Sequence, residues 1–144
     1  MANKNLKEYI LKEIEIIQNI INRLAFNSFL VKGWAITLIV ATLLFRGNKF
    51  QVWLAFIPLV VFWFLDSYFL QQERLYRKLY EWVIKNRPKT DEYLFDMNTD
   101  RFKSEVQSRF RIMFSITLGW FYGSIAILII IYAIVLLLIR KGGC

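Results

Sequence analysis

Three long apolar runs constrain the fold of this chain more than any other feature. They lie at 29–45, 50–70 and 114–139 of a 144-residue sequence, and a helix needs about 20 mostly apolar residues to cross a membrane. The chain is 57% apolar, above the roughly 45–50% of soluble domains. A chain this short cannot bury all three runs in one aqueous core. We therefore expect an all-α integral membrane protein with three transmembrane helices, forming a single helical membrane domain over 1–144.

Polar and helix-breaking residues mark the course of these spans. The tetrad at 46–49, Arg-Gly-Asn-Lys, predicts a short turn between antiparallel helices, and Pro58 predicts a kink in the second span. The third run would measure about 39 Å as a helix, so it predicts tilt or a projecting turn. A re-entrant hairpin at Gly119 and Gly123 is the alternative. No polar turn interrupts the run there, which favours the single span.

The distribution of Lys and Arg predicts how the spans are oriented. Fifteen of the 19 basic residues lie in 1–32 and 71–112, and the other four flank the opposite ends of the spans. Cytoplasmic flanks carry the excess of Lys and Arg. We expect a multi-pass protein of the bacterial inner membrane with the N-terminus in the cytoplasm and the C-terminus outside. A charged amphipathic segment precedes the first run, which argues against a cleaved secretory signal.

Residues 4–25 predict an amphipathic cytosolic helix. Its apolar residues recur at spacings of three and four along one stripe: Leu6, Ile10, Ile14, Ile17, Ile21 and Leu24. Tyr9, Ile16 and Ile20 widen this stripe beyond a two-stranded seam. Three roles stay open: packing within the chain, self-association of copies, and lying in the membrane interface. In self-association, the contacting residues would be Ile10, Ile14, Ile17 and Ile21.

The second span is expected to continue as a cytosolic helix to residue 86. No Gly or Pro stops it before Pro88. Glu73, Arg77 and Glu81 stand four residues apart on this extension. Because opposite charges at that spacing face each other on a helix, they predict a ladder of ion pairs.

A polar loop at 87–100 is expected to lead into a cytosolic helix over 101–112 that extends the third span. Thr99 or Asp100 would be its N-cap. The loop carries several carboxylates and amides, namely Asp91, Glu92, Asp96, Asn98 and Asp100. They resemble a calcium loop only in composition, because the glycine turn and the terminal bidentate Glu are missing. We expect no metal site here.

Two charged residues fall within the apolar runs. Lys32 lies about one turn inside the first span, and Asp66 lies about one turn inside the same end of the second. Charges at this depth are usually paired, so we predict a Lys32–Asp66 contact. The alternative is that both side chains reach the headgroups independently. Gly119 and Gly123 form a small-xxx-small pattern that permits close helix contact or oligomerisation.

The composition excludes several common kinds of catalytic and metal site. The chain has no His and one Cys, which removes the imidazole base, the His or Cys zinc cage and the Cys–His nucleophile pair. It also lacks a phosphate-binding glycine loop and a Gly-x-Ser-x-Gly elbow. We expect a non-enzymatic protein without cofactors. A nucleotide ligand is the alternative, because bases can stack on aromatic rings and phosphates can bind basic side chains. Basic residues interleave here with the aromatic residues Tyr76, Tyr80, Trp82, Tyr93, Phe95, Phe102 and Phe110.

Three segments carry a resemblance to a known group of proteins. They are IINRLAFNSFLVKGW at 20–34, FWFLDSYFLQQERLYRKLY at 62–80 and RIMFS at 111–115. These resemble signature blocks of a family of small bacterial multi-span membrane proteins. Such proteins are similar to transmembrane effectors of antiviral defence systems, in which a separate sensor triggers damage to the inner membrane. The resemblance implies that polar members of the blocks cluster at the cytosolic mouth of the bundle: Asn27, Ser28, Glu73, Arg74 and Arg77, beside Lys32 and Asp66.

Three functions compete at this point. The first is an oligomeric pore-forming or membrane-disrupting effector, which needs several copies because three spans enclose no wide pathway. The second is a membrane-anchored scaffold whose cytosolic helices dock a partner protein. The third is a small channel or transporter subunit. Membrane lipid, further copies of the chain and a cytosolic sensor are the expected partners.

Overall fold

The computed structural model describes residues 2–44, 51–87, 90 and 92–142, and this part of the chain contains helices and turns but no strand. The helices are α1, Ala2–Leu44; α2, Gln51–Asn86; α3, Arg109–Met113; and α4, Ile116–Gly142, with a short 3-10 helix at Asp100–Phe102. The predicted turn at 46–49 and the helix stop at Pro88 lie outside the described residues. The all-α prediction is confirmed.

Three of these helices are long and apolar enough to cross a membrane. The candidate segments are Leu6–Leu44, Val52–Asn86 and Ile116–Ile139. Only 22%, 22% and 11% of their most apolar stretches are buried within the chain, so most of this apolar surface faces outward and lipid can cover it. Pro58 lies within α2, which continues on both sides of it. The chain is therefore a multi-pass membrane protein by the length and composition of its helices.

The chain divides into two compact units. We name the first the charged unit, Met1–Ser28 with Tyr68–Arg109, and the second the apolar unit, Phe29–Ser67 with Phe110–Cys144. Helices α1 and α2 each contribute residues to both units, because neither breaks at the boundary. The amphipathic segment expected at 4–25 and the first span are thus parts of one helix.

The charged unit has its own hydrophobic core. Ile17 and Ile21 of α1 pack there with Leu75, Leu79 and Val83 of α2 and with Phe102, and Ile14 packs against this cluster. The Gln18 amide also donates a 3.0 Å hydrogen bond to the Tyr80 hydroxyl. The apolar stripe of the N-terminal segment therefore packs within the chain at these positions. Ile17 and Ile21 are consequently unavailable as contacts between copies.

The helix expected over 101–112 is wrong. The 3-10 helix at Asp100–Phe102 and α3 are separate, and residues between them form turns and irregular backbone. Gln107 explains this break, because its backbone carbonyl accepts the Gln71 amide at 3.2 Å and its side-chain oxygen accepts Arg74 at 3.3 Å. A helix would use that carbonyl internally. Thr99 makes no side-chain capping bond, and Asn98 Oδ1 accepts the Asp100 N–H at 2.9 Å instead.

Small and aliphatic side chains pack the apolar unit. Its buried positions include Val31, Ala35 and Ile39 on α1, Ala55 and Leu59 on α2, and Leu118, Tyr122 and Ile129 on α4. Gly119 and Gly123 of α4 make no close contacts with the described residues. A Cβ at Gly119 would lie 3.9 Å from the Phe114 backbone, and one at Gly123 would meet none of the described residues within 4 Å. Their use between copies stays a prediction.

Candidate functional site

An ion pair lies inside the apolar unit. Lys32 Nζ on α1 is 2.6 Å from Asp66 Oδ2 on α2, with the Asp66 side chain fully buried and the Lys32 side chain 24% exposed. Asp66 is the sole acidic residue in the sequence of this unit. Because an isolated carboxylate is very costly in a low-dielectric setting, Lys32 supplies the charge that lets Asp66 stay there. The two residues singled out from sequence depth are thus in contact.

Helix α4 completes this cluster with aromatic residues that the sequence analysis did not single out. The Tyr122 hydroxyl lies 3.2 Å from Asp66 Oδ2 and 3.3 Å from the Phe62 carbonyl oxygen, and can donate to either. Trp63 stacks on the Tyr122 ring at 5.7 Å, and its indole N–H donates to the Met113 carbonyl at 2.9 Å. A tyrosine within an apolar run was the available signal, since a buried hydroxyl needs a partner.

The face of a further aromatic ring adds to the environment of the lysine. Lys32 Nζ lies 5.9 Å from the centroid of the Phe121 ring, within the range of a cation–π interaction. Three helices therefore meet at one polar cluster, defined by Lys32, Asp66 and Tyr122. Chemically, the cluster places one positive and one negative charge among largely apolar spans, and this pair can fix helix packing or interact with an ion.

A second ion pair lies in the core of the charged unit. Glu13 on α1 accepts from Arg87 Nε at 2.7 Å and from Arg87 Nη2 at 2.6 Å, and both side chains are fully buried. Arg87 also donates to the backbone carbonyls of Glu92 at 2.6 Å and Tyr93 at 3.0 Å, while Glu13 Oε1 accepts the Phe95 N–H at 3.2 Å. This bidentate geometry is the strong form of such pairs.

Sequence reasoning missed this pair, although half of its signal was visible. Glu13 stands three residues after Ile10 and four before Ile17, so it falls on the buried stripe of α1. A carboxylate on such a stripe requires a cation opposite it. The partner is 74 residues away, and nothing in the sequence identifies which base reaches it.

The turn held by this pair has an unusual backbone. Tyr93 and Phe95 have φ angles of 63° and 58°, the left-handed region that bulky residues rarely occupy. Each such residue costs on the order of 1–2 kcal/mol, and it persists only where surrounding contacts over-determine it. The bonds from Arg87 to the turn carbonyls and from the Phe95 N–H to Glu13 supply those contacts.

Aromatic rings enclose a second arginine in the charged unit. The guanidinium carbon of Arg101 lies 4.3 Å from the Trp82 ring, 4.9 Å from Tyr93 and 5.0 Å from Phe102. Its Nε and Nη2 atoms are buried without a hydrogen-bond partner. Three of the rings considered for stacking a nucleotide base therefore contact the chain's own guanidinium. The nucleotide ligand stays a prediction without a site.

The polar members expected at the cytosolic mouth are only partly brought together. Arg77 pairs with Glu73 at 2.7 Å, whereas Glu81 pairs with Lys78 at 3.2 Å, so the expected second rung from Arg77 to Glu81 is wrong. An open groove of about 320 Å³ is lined by Arg74, Arg77, Lys78, Glu81, Glu105, Val106 and Gln107. Asn27 is half-buried and Ser28 is buried on α1, and neither lines this groove.

The acidic loop uses its oxygens within the chain. Asp96 Oδ1 accepts the Asn98 N–H at 2.9 Å, and Asp100 pairs with Lys103 at 2.7 Å. Among the described residues, no group of three or more metal-ligating side chains is assembled. Comparison with protein-family models, curated proteins and solved structures finds no match. Function must therefore be argued from the two buried ion pairs and the surfaces around them.

Proposed function

We propose that this chain is a non-enzymatic membrane protein that self-assembles and permeabilises the bacterial inner membrane as an effector of antiviral defence. The observation that carries the proposal is the cluster of Lys32, Asp66 and Tyr122 inside the apolar unit. Ionisable groups among membrane-spanning segments are costly, and they commonly mark ion pathways. A membrane anchor alone has no need of such a cluster, because apolar side chains would pack the same space at lower cost.

Self-assembly follows from the number of helices. Three spans are too few to surround a water-filled pathway. Most of the apolar surface of the spans is outward-facing in the isolated chain, so copies can pack against one another within the bilayer. The open flank of Gly123 offers a place for close approach. We infer a homo-oligomer in which the partly exposed Lys32 of each copy faces the pathway, with the buried Asp66 and Tyr122 of its cluster behind it.

The proposed biological setting is antiviral defence at the bacterial inner membrane. It is supported by the resemblance of segments 20–34 and 62–80 to small bacterial membrane proteins that are similar to defence effectors. The excess of Lys and Arg in 1–32 and 71–112 supports a cytoplasmic N-terminus and an outer C-terminus. In this setting a separate cytosolic sensor protein would trigger the membrane damage.

Reconstitution into liposomes tests permeabilisation. The mass of the complex in nanodiscs is measured first, followed by dye release and single-channel conductance of the same sample. We expect an oligomer of at least four copies and measurable leakage. A monomer or dimer that leaks nothing would refute the proposal and leave a membrane-anchored scaffold as the better function. Constitutive flux of one specific substrate would instead favour a transporter subunit.

Charge replacement tests the role of the cluster. Lys32→Met and Asp66→Leu each leave one charge without this salt bridge, so both single variants should lose assembly and leakage. The double variant should regain assembly, because neither charge is left, but should not regain leakage. Lys78→Met, which removes an exposed pair with Glu81, is the matched control and should behave as wild type. Full leakage from the double variant would exclude the cluster from the pathway.

A further inference from the structure

The strained turn of the charged unit displays aromatic rings at the surface. The side chains of Tyr93 and Phe95, which carry the positive φ angles, are 51% and 40% exposed. Tyr9 of α1 is 49% exposed and meets Phe95 edge to face, with ring centroids 6.3 Å apart. Bulky side chains are the least suited to this backbone region, and they gain only partial burial here. Folding alone therefore does not account for aromatic residues at these two positions.

Hydrogen bonds from two charged side chains fix the backbone that carries two of the exposed rings, Tyr93 and Phe95. Arg87 binds the carbonyls of Glu92 and Tyr93, and Glu13 binds the N–H of Phe95. Both of these charged side chains are fully buried. Strained residues supported in this way are frequent in binding sites, because the display geometry is set before the partner arrives. We define the display surface as the rings of Tyr9, Tyr93 and Phe95.

Two acidic residues, Glu92 and Asp96, adjoin the displayed rings in sequence, although the chain as a whole has net charge +8. Residues 90–100 contain four acids and no Lys or Arg, and one of these acids, Asp100, pairs with Lys103 just outside this range. The Glu92 side chain is exposed beside Tyr93, and Asp96 follows Phe95 directly. Negative charge beside exposed aromatic faces favours a cationic partner, through both Coulomb attraction and cation–π contact. It disfavours the anionic surface of a bacterial membrane.

One ring of the display surface, Tyr93, already contacts a guanidinium within the chain. Arg101 lies within 5.0 Å of three ring centroids, among them that of Tyr93. Arg101 and the Trp82 ring both contact Tyr93, and Tyr93 is still 51% exposed. A second cation from outside the chain would meet the same chemistry on the exposed faces.

We propose that the display surface docks a basic, Arg- or Lys-bearing segment of a protein partner. The aromatic rings contact the cationic side chains, and Glu92 and Asp96 supply the complementary charge. This goes beyond the permeabilising function, because it concerns only the charged unit and holds whether or not the spans conduct. A second copy of the chain and a lipid surface are the competing occupants, and the experiment separates them.

Binding of peptide probes to the full-length protein in phosphatidylcholine nanodiscs tests the proposal. The probes are nona-arginine, nona-glutamate and a Gly-Ser nonamer, with empty nanodiscs as background. We expect nona-arginine to bind at least about tenfold more tightly than either control peptide, with an affinity that falls as salt rises. Absence of this preference in the wild type would overturn the proposal.

One substitution separates binding from folding. Phe95→Asn removes a displayed ring, keeps the backbone N–H that binds Glu13, and installs a residue that tolerates positive φ. We expect at least about tenfold weaker binding of nona-arginine with an unchanged or higher melting temperature. The control is Leu11→Gln, which removes an apolar side chain that is 67% exposed on another side of α1 and should leave binding unchanged.

A charge-removing variant completes the test. Glu92→Gln with Asp96→Asn keeps the side-chain shapes, and the amide oxygen introduced by the second change can still accept the Asn98 N–H. We expect at least about threefold weaker nona-arginine binding and a smaller salt dependence. Unchanged peptide binding by Phe95→Asn together with loss of the homo-oligomer would assign the surface to a second copy. Equal capture of the wild type and Phe95→Asn by phosphatidylglycerol vesicles, with no preference for nona-arginine, would assign it to lipid. Either result refutes the proposal.

Discussion

Replacing Arg87 with Met should destabilise the charged unit more than any surface substitution. The change removes the only hydrogen-bonded cation described for Glu13, which is fully buried and then keeps just the Phe95 N–H. It also removes the donors to the carbonyls of Glu92 and Tyr93. Leaving one member of a buried pair alone costs about 3–5 kcal/mol, which corresponds to on the order of a hundredfold to a few thousandfold in the unfolding equilibrium.

Urea unfolding of the full-length protein in detergent micelles, followed by Trp fluorescence, measures this loss. Trp82, one of the five Trp residues, lies 5.4 Å from the Arg87 guanidinium, so its share of the emission should change when the site unfolds. Arg77→Met is the matched control, because Arg77 pairs with Glu73 but its side chain is 60% exposed. Such exposed pairs contribute about 0–1 kcal/mol, and the control should unfold almost as the wild type does.

A double variant isolates the unpaired charge from the lost turn contacts. Glu13→Leu with Arg87→Met removes both buried charges and should recover about 2 kcal/mol relative to Arg87→Met alone, because apolar pairs often replace buried ion pairs at little cost. Recovery should be incomplete, since the turn carbonyls and the Phe95 N–H still lack their partners. If Arg87→Met and Arg77→Met shift the unfolding free energy equally, the buried pair does not support the charged unit as argued.

Three further predictions concern single side chains. Tyr122→Phe removes the hydroxyl beside Asp66 and should lower stability by about 1 kcal/mol in thermal unfolding; no change would mean that the hydroxyl bond contributes nothing. Arg101→Met should change stability by less than about 1 kcal/mol, because the lost cation–π contacts are offset by removing two buried unpaired donors. A loss above about 2 kcal/mol in the same urea assay would show that the ring contacts dominate. Gly123→Leu should leave the monomer fold intact, since none of the described residues lies within 4 Å of its Cβ position; native mass spectrometry should show a smaller oligomer if this flank joins copies, and an unchanged mass would exclude it.

The helix expected over 101–112 shows where local sequence reasoning fails. Its propensity and capping pattern were acceptable, yet Gln107 uses its carbonyl and its side chain to bind Gln71 and Arg74 of α2. A distant contact therefore outweighed a local preference, which is weak by comparison. The ladder of Glu73, Arg77 and Glu81 failed on one rung for a related reason, because Lys78 was an equally close partner for Glu81.

One of the two ion pairs could be predicted from the sequence, and the other could not. Lys32 and Asp66 were paired from the sequence because charges inside apolar runs are rare, and their matched depth left each a single partner. Glu13 had many candidate bases in a charged segment, and only the packing of α1 against α2 within the charged unit selected Arg87. The positive φ angles of Tyr93 and Phe95 depend on that selection in turn.

The sequence alone determined the helical class, the three candidate spans and the uninterrupted run of α2 to residue 86, because each depends on the hydrophobicity of consecutive residues. These features require only that about 20 consecutive residues be apolar. The tertiary structure decided the division into two units, the Glu13–Arg87 pair, the enclosure of Arg101 by rings and the display of Tyr93 and Phe95. Each of these features depends on contacts between residues far apart in sequence. Such contacts contribute to stability only once the helices have packed.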